Sequence, residues 1–422
     1  MLLYDVNEKP SKGLWALLSF QHVFAMFGAT VLVPILTGLS ISVALVASGI
    51  GTLIYIVATK AKVPVYLGSS FAYIAAISIA SQEFGPTSAF VGLMVVGFIY
   101  VLVAIAIRFV GKAWLDSILP PLVIGPLIAI IGINLAPVAT GQAGLTPGSA
   151  DPFFVSLASD PINPIIALIT FSVTVLLATL SKGFFKVVPI LGGIIVGYIV
   201  AALFGVVDFR GVLDAPWFAF PDFTFLGTYS LDWRAVLLFA PISFVTIAEH
   251  IGDHKVLGSI TKRDFLQDPG LDRTLLGDGI ATFVSAALGG PANTTYGENT
   301  GVVAMTRVAS IYVTGGAAVI AILLGFVGKF TALVSSIPTP VMGGILVLLF
   351  GLIAGNGLKV MVEAKVDLSS IRNLIIVATM LVLGLGGAAF AINDAVALTG
   401  MSLAAIAGIL LNQFLPEPVE SE

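Results

Sequence analysis

Long runs that are apolar on nearly every helical face dominate the chain. Val43–Ala58, Phe90–Ile107, Ile165–Leu180 and Ile345–Ala354 lack the polar stripe that a soluble helix turns to water. One such run could be the core helix of a large soluble domain; a dozen could not. A helix needs about 20 residues, within roughly 17 to 25, to cross the hydrocarbon of a bilayer. On that ruler the pattern predicts spans near 14–36, 40–58, 65–81, 87–109, 115–136, 162–180 and 187–206. A second set is expected near 235–256, 272–289, 292–307, 309–328, 332–354, 370–391 and 397–415. The expected fold is an all-α polytopic membrane protein with fourteen transmembrane segments.

The third and tenth spans break the pattern. Span three begins Pro64-Val-Tyr-Leu-Gly-Ser-Ser-Phe71, and span ten begins Pro291-Ala-Asn-Thr-Thr-Tyr-Gly-Glu298. Each has a proline, an extended polar stretch with glycine, then a short helical run. Irregular backbone at membrane depth survives only where it is buried in protein or lines a cavity. Two half-helix N-termini there would offer free N–H groups and positive dipole ends to a polar ligand. The bland alternative is a pair of re-entrant loops with no ligand.

An internal repeat underlies this arrangement. Leu119-Pro-Pro-Leu-Val-Ile-Gly-Pro126 recurs as Ile337-Pro-Thr-Pro-Val-Met-Gly-Gly344, in the fifth and twelfth spans, and Pro64 matches Pro291 at a similar offset. The offset is seven spans. Seven is odd, so the two halves would cross the membrane in opposite senses. Inverted repeats of this kind place a substrate site between the halves near the bilayer midplane.

Composition agrees and adds orientation. The chain is 58% hydrophobic and 10% charged, against roughly 25% charged in a soluble domain. With both termini on one side, that side holds sixteen of the nineteen Lys and Arg residues, Lys186 among them, and the other only Arg210, Arg234 and Lys329. The positive-inside rule then puts both termini in the cytoplasm. The net charge of −4 says little about partners, because so few charges are exposed. There is no cysteine, which excludes disulfides, thiolate metal sites and cysteine nucleophiles and leaves the redox compartment open. The short polar start, with Glu8, Lys9 and Lys12, has no small-residue cleavage site behind a short apolar core. The first span is therefore read as retained rather than as a signal peptide. The acidic tail, Glu417 to Glu422, reads as a solvated end.

A charge at mid-membrane costs at least about 2.5–3.5 kcal/mol, so the few candidates are functional suspects. Glu249 lies deep in span eight after the apolar run Ala235–Ala248, followed by His250, Asp253 and His254; Glu298 sits at the break in span ten. Asp253 shares a helix face with Glu249, and His250 and His254 share a neighbouring one. Burial and mutual repulsion both disfavour ionisation of paired carboxyls. Such a group can take up a proton, and it can also accept a hydrogen bond from a ligand N–H. Structural alternatives are an ion pair for Glu249, helix capping for Glu298, a place at the cytoplasmic mouth for Asp253 and His254, and a satisfied buried histidine for His22. The spacing His250-x-x-x-His254 invites a metal reading, but the glutamate precedes the pair instead of lying inside it. No metal and no cofactor are expected. Neither a nucleophile elbow, a phosphate loop nor a dinucleotide fingerprint appears in a suitable context, so an enzyme is not expected.

At these residues the chain resembles the nucleobase–ascorbate transporter family, and in particular its bacterial uracil permeases. The family signature reads here Glu298-Asn299-Thr-Gly301-Val-Val-Ala-Met-Thr306-Arg307. Gln21-His22-Val-Phe-Ala-Met-Phe-Gly28-Ala29-Thr30 looks like its first-span motif, Tyr66-Leu-Gly68-Ser69-Ser70-Phe71-Ala72 like its third-span break, and Ala248-Glu249-His250 like its eighth-span acid. The resemblance implies a core domain, 1–110 and 235–330, and a gate domain, 111–210 and 331–422, with 211–234 as an extracytoplasmic connector. It implies two inverted seven-span repeats with short strands breaking the third and tenth spans, a nucleobase lying between those strands, and Glu249 and Glu298 hydrogen-bonded to it. Phe71 and Tyr296 would pack around it, with Ser70 and backbone near Ala29 and Gly297 completing the pocket, and Phe350 would face it from the gate. It further implies proton symport at the cell membrane, a uracil-like base and a proton as partners, and in many members a homodimer. Glutamate as the first signature residue favours a pyrimidine, since xanthine and urate carriers usually have glutamine there. One departure stands out: where uracil permeases can carry a histidine, this chain has Asp253 and then His254, and either could serve proton coupling. The rivals are a purine carrier of the same family and, in another class, a channel or anion exchanger of the same fold.

Overall fold

The structure is a computed structural model that describes residues 2–146, 161–182, 189–224, 228–393 and 396–416. Lys186 and the tail from Glu417 to Glu422 lie outside the described residues, as do the first two positions of the span expected at 187–206.

The first half runs α1 (Lys12–Thr37), α2 (Ile41–Ala58), β1 (Leu67–Ser69), α3 (Ile74–Glu83), α4 (Pro86–Val110), α5 (Ala113–Ile118), α6 (Pro121–Asn134), α7 (Ala136–Gln142), α8 (Ile162–Leu180) and α9 (Pro189–Leu203). A short α10 (Arg210–Asp214) precedes α11 (Trp233–Thr261), α12 (Leu271–Ala287), β2 (Asn293–Thr295), α13 (Gly297–Thr306), α14 (Ile311–Gly325) and α15 (Gly328–Ser335). Then come α16 (Thr339–Glu363), α17 (Ile371–Leu385), β3 (Ala389–Asn393), β4 (Val396–Thr399) and α18 (Gly400–Phe414). Among the described residues, seven helical stretches are long and apolar enough to cross a membrane, and four shorter apolar helices of 10–17 residues accompany them.

Several predicted edges move, each for a local reason. The fifth span splits, because Pro120 and Pro121 lack the N–H groups that would continue α5 into α6. The same break falls before Pro338, after which α16 runs on to Glu363 rather than ending near 354. The thirteenth predicted span, drawn to 391, stops as helix at Leu385. Gly386 and the left-handed Gly387 (φ 70°) end it, and the chain folds into the antiparallel β3–β4 hairpin before α18 starts at Gly400.

The breaks in the third and tenth predicted spans meet in the interior. Strand β1 pairs with β2 in antiparallel register, Leu67 opposite Thr295, Gly68 opposite Thr294 and Ser69 opposite Asn293, and all six residues are buried. The ladder satisfies polar backbone where no water competes. Both strands stay short because helix resumes on each chain, through a turn at Phe71–Tyr73 into α3 and directly into α13.

Packing pairs recur in a regular way. Helix α4 packs on α12 and α2 on α14; α8 packs on α9 and α17 on α18; α17 packs on α6 and α8 on α16. Each first pairing becomes the second when the predicted span numbers shift by seven. Small residues set the closest approaches. A Cβ on Gly279 would press on the Gly97 carbonyl, and one on Gly97 on the Gly279 carbonyl, so α4 and α12 touch backbone to backbone.

The loops gather at two ends. At one end the N-terminal segment crosses the loop after α13: the Leu3 N–H donates to the Arg307 carbonyl at 2.7 Å, and the Ala309 N–H to the Tyr4 carbonyl at 2.9 Å. Arg263 pairs with Asp5 at 2.6 Å, and Lys62 with Asp268 at 2.5 Å. At the opposite end Lys329 donates to the carbonyls of Val212 and Leu213, Ser88 meets Ser230, and Asn134 donates to the Gly384 carbonyl at 3.0 Å.

Candidate substrate site

The site grows out of three elements, the β1–β2 ladder, the start of α13 and the middle of α11. Helix α11 carries two polar faces. On one, Asp253 accepts a hydrogen bond from the Thr295 hydroxyl at 2.5 Å, which ties α11 to strand β2. Glu249 lies one turn earlier, half-buried, and makes no hydrogen bond or ion pair with any described residue. Asp253 follows on the same helix face, and the start of α13 lies against that acid at Gly297. An unpaired carboxylate inside a membrane protein keeps its acceptor capacity for something else.

On the other face of α11, His250 and His254 turn away from these acids. The His250 Nδ1 lies 2.8 Å from Asp278 of α12, with both side chains fully buried. The His254 Nδ1 donates to the His250 carbonyl at 2.7 Å, which leaves Nε2 to accept from the Tyr55 hydroxyl. Both ring nitrogens of His254 are thus engaged, and its tautomer follows from its partners.

The wall opposite α11 is a closed set of hydrogen bonds between α1 and the strand break. The Ser69 hydroxyl donates to the Thr30 carbonyl at 3.0 Å; the Thr30 hydroxyl donates to the Tyr296 oxygen at 3.2 Å; the Tyr296 hydroxyl donates to the Ser69 carbonyl at 3.0 Å. Ala29 is buried next to Thr30, and a Cβ on Gly68 would collide with the Tyr296 ring. Gly297 is exposed at the start of α13, and a Cβ there would lie 3.9 Å from the Asp253 carboxylate, with no other neighbour within contact. Glu298 follows in the first turn of α13, half-buried. The Ser70 hydroxyl is buried without a hydrogen-bond partner among the described residues. Phe71 meets Phe350 of α16 edge to face, with ring centroids 5.9 Å apart.

The signature residues mostly hold the frame. The Asn299 amide lies 3.0 Å from the His22 Nδ1 and donates to the His22 carbonyl at 3.1 Å, joining α13 to α1. Thr306 caps locally on the Val302 carbonyl, and Arg307 ends α13 in the left-handed region (φ 59°). Gly301 has open space around it. The structure therefore brings Glu249, Asp253, Glu298, Gly297 and Tyr296 around one locality and places Phe71 and Phe350 beside it. It sets His22 and His254 in structural hydrogen bonds. Asp278 and Tyr55 went unmarked in the sequence. The signal for Asp278 was an acid in the middle of span nine, masked by the polar residues Asp272 and Arg273 at that span's start.

The sequence matches the permease family over residues 13–392. The chain belongs to the nucleobase–ascorbate transporter family. This family member is 49% identical to the uracil permease of Bacillus caldolyticus over 98% of its own length and 94% of that protein's. It is 45% identical to the uracil permease of Bacillus subtilis (strain 168), with 99% and 96% covered, and 43% identical to that of Escherichia coli (strain K12), with 96% and 92% covered. Its fold is similar to the transmembrane domain of the cyanobacterial bicarbonate transporter BicA (TM-score 0.67, 17% identity, 95% of this chain and 99% of that one). It is similar too to the murine solute carrier 26 family member A9 anion transporter in the inward-facing state (TM-score 0.70, 12% identity, 97% and 69% covered). As a nucleobase–ascorbate transporter with this many apolar helices, the protein is a multi-pass membrane permease.

Proposed function

We propose that the protein carries uracil into the cell by proton symport across the cell membrane, with both termini cytoplasmic. The observation that carries this reading is the free Glu249 carboxylate, inside the helical body and one turn from Asp253, which lies against the start of α13, with no cation within ion-pair distance of Glu249 among the described residues. Uracil presents N–H donors flanked by carbonyl acceptors. Acceptor-only carboxylates suit the donors, and the free N–H groups at the start of α13 suit the carbonyls. Closely spaced carboxyls disfavour simultaneous ionisation, and a carboxyl that takes up a proton still accepts an N–H through its carbonyl oxygen while its O–H can donate to a base carbonyl. In this reading proton uptake by Glu249, with Asp253 beside it, is coupled to binding of the base. Asp253 is the better second group, since His254 already uses both ring nitrogens.

The fourteen-span reading with two inverted repeats is supported by the seven-span recurrence of packing pairs and by the two-ended clustering of loops. In this reading the core (spans one to four and eight to eleven) carries the strands and acids, and the gate (spans five to seven and twelve to fourteen) carries Phe350. Relative movement of the two would alternate access. The anion transporters that share the fold suggest a second reading, but clustered acids make this site hostile to an anion. A competition panel tests the substrate: in proteoliposomes, labelled uracil uptake should fall most with excess unlabelled uracil. Stronger competition by xanthine would move the assignment to the purine carriers.

A further inference from the structure

Phe71 has a second neighbourhood. Together with Ala72 it borders a cavity of about 270 Å³ between α3 (Ala76 and Ile79), α6 (Asn134), α11 (Ile242) and the start of α18 (Met401). Glu249, Asp253 and Glu298 do not line it, so Phe71 and Ala72 join it to the strand break. The walls come from elements assigned above to both core and gate. They also lie at the end of the molecule that holds the Asn134–Gly384 hydrogen bond, opposite the N-terminal segment. In the proposed orientation that end faces outward.

The size and chemistry of the cavity select an occupant. Its volume is below the roughly 300–1,000 Å³ of sites that hold drug-sized molecules, which suits a single small ring. The lining side chains are apolar apart from the Asn134 amide, and backbone groups supply the rest of the polar surface. The Nδ2 of that amide is spent on the Gly384 carbonyl, while its Oδ1 has no hydrogen bond to the described residues. A slot with apolar side chains and a free side-chain acceptor fits a flat, uncharged ring that carries an N–H donor.

We propose that this cavity is an outer waiting site for the base, and that the Phe71 ring, braced by Phe350, is the partition between it and the acid-lined pocket. The proposal rests on the nucleobase-carrier reading. It predicts that the base is held first by apolar contact and the Asn134 oxygen, and reaches Glu249 only when Phe71 swings aside.

The chain has no cysteine, so a single introduced one reports alone. Ile79→Cys and Met401→Cys would each be placed in the otherwise unchanged chain in right-side-out vesicles, with Leu213→Cys, 72% exposed at the same end, as the control. A membrane-impermeant methanethiosulfonate added outside should modify all three. Modification should abolish most uracil uptake for the two cavity variants only, and excess uracil should slow their modification but not that of Leu213→Cys. Full modification at position 79 or 401 with uptake intact would overturn the proposal, and so would a rate indifferent to uracil at both positions. If the unmodified variants take up xanthine in place of uracil, the substrate assignment fails; loss of that xanthine uptake on modification would still support the outer site.

Discussion

Glu249 stays free because the helix that carries it directs its other polar side chains elsewhere, His250 to Asp278 and His254 to Tyr55. That division was half legible in the sequence. The i, i+4 spacing placed Glu249 with Asp253 and the two histidines together on a neighbouring face. What the histidines would meet depended on α2 and α12, which no local pattern reveals. If Asp253 exchanges the coupled proton, Asp253→Asn should keep the Thr295 hydrogen bond and uracil exchange between equal pools, yet lose accumulation driven by an acidic exterior. Counterflow and gradient-driven uptake measured side by side check this, and intact accumulation would return the coupling role to other groups. Tyr296→Phe removes the hydroxyl that joins Thr30 to Ser69. It should weaken uracil binding by roughly 0.5–1.5 kcal/mol, up to about tenfold in Kd by calorimetry.

At the scale of elements, the strand break was readable because proline, glycine and polar residues interrupt spans three and ten in matching places. Short strands there were implied only by the family resemblance, and their pairing register, across more than two hundred residues, leaves no trace in periodicity. Gly68→Ala should push the Tyr296 ring out of place and depress uptake while expression is retained, which transport per unit of purified protein would measure. The edges were less legible. A hydropathy pattern does not separate the end of an apolar helix from an apolar hairpin, and so the β3–β4 turn after Leu385 was read as helix. The Gly97–Gly279 contact was likewise invisible, as glycine in an apolar span has no address. Gly97→Leu should force α4 from α12 and cost about 1–3 kcal/mol by overpacking, seen as a lower thermal unfolding midpoint in detergent.

For the whole molecule, the charge asymmetry and the repeat anticipated a body with two ends, and the loops do cluster in two groups. A core moving against a gate requires the Phe71–Phe350 contact to break during transport. A short bifunctional thiol crosslinker applied to a Phe71→Cys/Phe350→Cys variant should therefore arrest whatever uptake that variant retains, while the same reagent on either single variant should not. The account as a whole rests on an uncharged base and a proton meeting at the acids. The most direct measurement is labelled uracil accumulation by proteoliposomes with an acidic exterior, for the native chain with and without an uncoupler and for Glu249→Gln. The account predicts accumulation above the external concentration that the uncoupler collapses and that Glu249→Gln lacks. Equal accumulation in all three would contradict it.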